Sequence, residues 1–140
     1  MSVRFSGRCE VRVNFPGVQK LWFNLKVYDT AAELQRLAAQ WHSQPLSEWA
    51  DTVGCFHGHD GPGRYIGLMR LCDEHMNARV VIHEAVHAAV AFARVHFGGA
   101  LDLGSDVTDR EELLAYATDD IAESILQSAA FTASPNITPA

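Results

Sequence analysis

The chain has 140 residues, enough for one ordinary domain, and its 48% apolar against 20% charged residues can build a core and exclude a disordered chain. Its formal net charge is −6 with no Lys/Arg cluster, which removes the electrostatic footprint of a nucleic-acid partner. No apolar run reaches the length of a membrane span, and Cys9, Cys55 and Cys72, scattered without a CxxC pair, read as reduced thiols.

The first residues alternate polar and apolar side chains and lack the continuous apolar stretch of a signal peptide, so a cytoplasmic location is expected. Val3 and Phe5, then Val11, Val13 and Phe15, recur at period two, as do Leu21, Phe23, Leu25 and Val27. Pro16-Gly17 lies between the two runs, and together they predict an antiparallel hairpin. Thr30-Ala-Ala-Glu33 is a capping box that opens a first helix through Leu34, Leu37, Ala38 and Trp41, ended by Pro45.

Residues 53–60 form a short, glycine-flanked stretch with no clear pattern. After the turn chemistry of Gly61-Pro62-Gly63, residues 64–71 read as a strand through Tyr65, Ile66, Gly67, Leu68 and Met69. A second helix follows Asn77 as N-cap and runs through Val80, Val81, Ile82, Val86, Ala89, Val90 and Phe92 until Gly98-Gly99. It is apolar nearly all round, which predicts a central, buried helix. A third helix opens at a second capping box, Thr108-Asp-Arg-Glu111, and reaches about Gln127. One domain over residues 1–127 and a weakly ordered tail over 128–140 are expected.

His83-Glu84-Ala85-Val86-His87 is an HExxH motif in the middle of the second helix. Positions i and i+4 share a helix face, so two imidazoles one turn apart can meet one Zn2+. Glu84 then stands beside the metal, placed as general base toward a zinc-bound water. A catalytic zinc needs a third protein ligand and an open position. Glu111 and Glu112 are the candidates. Glu111 is the N3 residue of its capping box, whereas Glu112 shares a face with Ala115, Tyr116 and Asp119, and small Ala115 would let that helix pack close; the choice falls on Glu112.

The two segments IHEAVHAAV and EELLAYATDDI resemble the gluzincin branch of zinc metallopeptidases, in particular the small single-domain members, SprT-like and ImmA/IrrE-like. The arrangement is also similar to short proteins of phages and bacteria in which a β-rich half precedes HExxH. This resemblance implies a zincin-like α+β fold: a small antiparallel sheet packed with about three helices, the HExxH helix central. It implies a zinc metalloendopeptidase (hydrolase) acting on a protein or peptide, with His83, His87 and Glu112 as ligands. It further implies that the strand before the motif, Tyr65 to Met69, offers an edge to an extended substrate. Larger gluzincins place an Asp four residues after the ligand Glu; Tyr116 stands there, and Asp119 is the alternative second partner. The oxyanion donor stays open among Tyr65, Tyr116, His57, His59 and His75, and His57-Gly-His59-Asp60 is a weaker candidate for a second metal site. Trp22, Trp41 and Trp49 read as core or surface aromatics. A zincin-fold binding or regulatory module without turnover is the alternative, and the sequence leaves oligomeric state open.

Overall fold

The computed structural model describes residues 3–13, 20–59, 61, 63–96 and 107–128, with residues 107–111 by backbone alone. The two alternating runs form β1 (Val3–Val11) and β2 (Leu21–Tyr28), paired antiparallel with Val11 opposite Leu21 and Cys9 opposite Phe23. The Pro16-Gly17 turn, the Gly98-Gly99 stop, the capping side chains at Thr108 and Glu111 and the tail beyond Ser128 lie outside the described residues.

Helix α1 (Ala31–Trp41) starts as its sequence requires: the Thr30 hydroxyl accepts from the Glu33 amide at 3.2 Å. The reciprocal half of the capping box does not form. Glu33 pairs with Arg36 at 2.9 Å instead, and the Ala31 amide donates to Glu74 Oε1 at 2.9 Å. Just past the helix, Ser43 takes a left-handed φ of 51°, and a 3-10 turn over Leu46–Trp49 leads to the next strand.

The chain then forms β3 (Gly54–Gly58), β4 (Tyr65–Cys72), a second 3-10 turn over Asp73–His75, α2 (Ala78–His96) and α3 (Val107–Leu126). The strands make one sheet in the order β1-β2-β4-β3. β1 with β2 and β3 with β4 are antiparallel, but β2 and β4 are parallel. The expectation of a purely antiparallel sheet is therefore corrected to a mixed one. α1 and the turn after it lead from the end of β2 to β3, and β3, running opposite to β2 and β4, returns the chain to the start of β4, so β4 can lie parallel to β2. The class is α+β, with three α-helices among the described residues. No helix among the described residues is long and apolar enough to cross a membrane.

The two faces of the sheet are dressed differently. Leu21, Phe23, Leu25 and Val27 of β2, with Ile66, Met69 and Leu71 of β4, join α2 and α3 in the main core. The alternate residues Tyr28 and Cys72 pack against Leu34 of α1 on the opposite face. An extra residue in β4 keeps this alternation in step. Trp22 pairs with Tyr65 and Asn24 with Leu68, so one side of the ladder advances by three residues while the other advances by two. Gly67 absorbs the bulge at φ 142°, where a Cβ would lie 2.1 Å from the His57 carbonyl oxygen.

Asn77 caps α2 as expected, its Oδ1 accepting from the Val80 amide at 3.0 Å. The helix is not buried all round. Val81, Ala85, Ala88, Ala89, Phe92 and Ala93 face inward, whereas Ile82 and Val86 are 47% and 45% exposed. Its alanine stripe shares the main core with Leu113, Ala117, Ile121 and Ile125 of α3. The small residue that admits α3 to this core is Ala117. Ala115, expected to be that residue, faces out with Glu112, Tyr116 and Asp119.

Candidate functional site

Helical spacing sets His83 and His87 one turn apart on the open face of α2, with ring centroids 5.1 Å apart. Glu84, 100° further round, turns inward and is buried at 4% exposure. His83 Nε2 lies 3.9 Å from Glu84 Oε1. One donor atom from each of His83, Glu84 and His87 falls within 4.8 Å of the others. Two ligands of one zinc stand at most about 4.2 Å apart, so small rotations of the exposed imidazoles close the difference.

Glu84 packs beneath the first residue of β3. A Cβ on Gly54 would stand 3.3 Å from Glu84 Cγ and 3.5 Å from its Oε1, so the glycine leaves room for the carboxylate against the strand. Glu84 Oε2 is buried and has no hydrogen-bond partner among the described residues. Burial pushes its carboxyl up to about 7. A cleft of about 340 Å³ opens beside it, lined by residues 51–54 and by Arg79, Val80, His83 and Glu84. The donor set fits a divalent cation. Two imidazoles converge as ligands, and the carboxylate beside them carries an oxygen with no partner among the described residues, free to meet a metal-bound water.

The other expected site residues divide. Glu112 lies exposed on α3, which packs against α2, and it is not one of the three groups that converge. Tyr116 and Asp119 share its exposed face. The substrate strand is corrected: Tyr65, Ile66, Gly67, Leu68 and Met69 belong to β4, whose two backbone edges are already taken by β2 and β3. The edge strand on this side is β3. Its sequence, Gly-Cys-Phe-His-Gly, has glycine at both ends and no apolar alternation, so only its place before the motif marked it.

Tyr65 is corrected as an oxyanion donor. Its ring lies tilted against Trp22 at 4.4 Å and near His59 at 5.0 Å, on the sheet face away from α2. His57 lies on that same far face and is corrected likewise. It alternates with Phe56, the β3 side chain that packs against the α2 core. Arg70 Nε donates to His57 Nε2 at 3.0 Å, so that nitrogen carries no proton and Nδ1–H faces His42 Nε2, also at 3.0 Å. His57 is 5% exposed; burial first, then Arg70 and His42, hold its pKa down to about 4. His57 and His59 do not meet as a second metal site: His57 is committed to Arg70 and His42, and His59 lies against Tyr65. His75 is exposed on the turn before α2. The three cysteines are free thiols, and burial raises Cys9 to about 11 and Cys55 to about 12. No protein-family model, curated protein or solved structure matches the chain.

Proposed function

We propose that the chain is a zinc-dependent hydrolase of peptide bonds, zincin-like and related to the small gluzincins. The observation that carries this reading is Glu84. Its carboxylate is buried beside two imidazoles with one oxygen unpartnered, which is costly in a fold that has no use for it. His83 and His87 would hold the metal, with Glu112 of α3 as the proposed third ligand. Zinc bound there would supply a Lewis acid that polarises a carbonyl and lowers the pKa of water. Glu84 would take the proton of the attacking water at its unpartnered oxygen and pass it to the leaving amine. The open edge of β3 is the surface on which an extended peptide would pair, running past Gly54 directly above Glu84.

A second reading is a zincin-fold binding module without turnover. It is favoured by the place of Glu112 outside the converging group. Metal analysis and a peptide library separate the two. The first reading expects about one zinc per chain, lost in His83→Ala and in Glu112→Ala. Glu84→Gln should keep the zinc and lose all peptide cleavage. If Glu112→Ala keeps full zinc, the third ligand is another group. A zinc-loaded chain that cleaves no peptide supports the module.

A further inference from the structure

The sheet face opposite α2 holds a second constellation that the proposed reaction does not use. Arg70 is 4% exposed, yet among the described residues its guanidinium meets only neutral groups. Nε donates to His57 and one Nη to the Tyr28 hydroxyl. Among the described residues no carboxylate pairs with it; Glu33, on the neighbouring helix, is taken by Arg36. Its remaining N–H groups have no partner among the described residues.

Lys26 stands beside Arg70, because the two are register partners across β2 and β4. Side chains of register partners share a face, so two cations lie next to each other where like charges are unfavourable. Both line a cleft of about 320 Å³, together with Tyr28, Gln40, Trp41 and the apolar Val3 and Leu37. The Trp41 ring lies 5.5 Å from the guanidinium and stacks on His57 at 5.2 Å. The network His42–His57–Arg70–Tyr28 thus holds a fork of donors at a fixed angle. Such a fork matches an oxyanion, which also relieves the Lys26–Arg70 repulsion.

We infer that this cleft binds the oxyanion of a small molecule, a phosphate or a carboxylate, between Arg70 and Lys26, with Gln40 and Trp41 beside it. The test titrates chelator-treated protein with sodium phosphate and with sodium acetate, each against sodium chloride at equal ionic strength. Calorimetry and thermal denaturation are the readouts. Saturable binding of phosphate, acetate or both is expected, and the stronger of the two identifies the headgroup.

Lys26→Met should weaken the binding about tenfold, and His83→Ala should leave it unchanged. Lys26→Glu supplies the missing carboxylate, so it should raise the melting temperature and abolish the anion effect. Lys26 is only half-buried on a strand, so these variants test the site without emptying the core. The inference is overturned if neither anion binds saturably, if binding survives Lys26→Glu, or if it vanishes in His83→Ala.

Discussion

A carboxylate that is buried with one oxygen unpartnered lowers stability unless a ligand meets it, and Glu84 carries such a group against β3. Replacing it by leucine, of similar size, should stabilise the metal-free protein by about 1 kcal/mol, read from urea denaturation. Unchanged or lower stability would show that the fold already satisfies the carboxylate. His57 gives the opposite kind of residue-scale test. Its pKa falls from the ordinary 6.5 to about 4 on folding, so the folded state favours the neutral ring. The stability this contributes is complete above pH 6.5 and is lost as pH falls toward 4. The loss should reach about 3 kcal/mol and should flatten in His57→Gln. A wild-type stability curve that is level between these pH values would contradict it. Of these two residues the sequence marked Glu84 clearly, because HExxH is a local spacing. His57 it marked only as a possible ligand or oxyanion donor, because its partners Arg70 and His42 come from the paired strand β4 and the end of α1.

At the scale of elements, patterns that repeat within one segment were legible, and pairings between segments were not. The alternation of β1 and β2, the Thr30 cap of α1 and the Asn77 cap of α2 are all local signals, and each stands in the structure. The sequence overstates the burial of α2, because a Val/Ala-rich helix has no polar stripe to show which side is open. Ile82 and Val86 fall on the same side as the two histidines. β3 carried no periodic signal, and the parallel pairing of β2 with β4 depends on β3 taking the outer place and running back antiparallel to β4. The bulge at Gly67 is equally long-range in origin: its partner is the His57 carbonyl on the neighbouring strand. Gly67→Ala should therefore cost about 3 kcal/mol in denaturant unfolding, since a Cβ meets fixed backbone at a left-handed φ. A loss below about 0.5 kcal/mol would mean that β4 can flatten its bulge.

The whole molecule is a sheet with a polar constellation on each face, tied together across its edges. Arg4 of β1 reaches the buried Asp73, at the turn into α2, with a contact of 2.7 Å at 20% and 5% side-chain exposure. This bond fastens the outer strand to the start of the motif helix, so Arg4→Met should destabilise the entire domain by about 2 kcal/mol and not merely fray its first strand. Hydrogen exchange distinguishes the two: protection should fall in β2 and α2 as well as in β1. A loss confined to β1 would show that the bond holds the strand alone.

Among the described residues β3 is paired on one side only, and this has a consequence for the protein's own company. A strand with one unpaired backbone edge is a template for any extended chain, including another copy of itself, and natural sheets blunt such edges. Here the blunting is by length. β3 has five residues and begins and ends in glycine, so a second copy would gain a short, weakly ordered ladder. The same brevity that would disfavour pairing between copies would still leave a visiting segment a few backbone groups to meet.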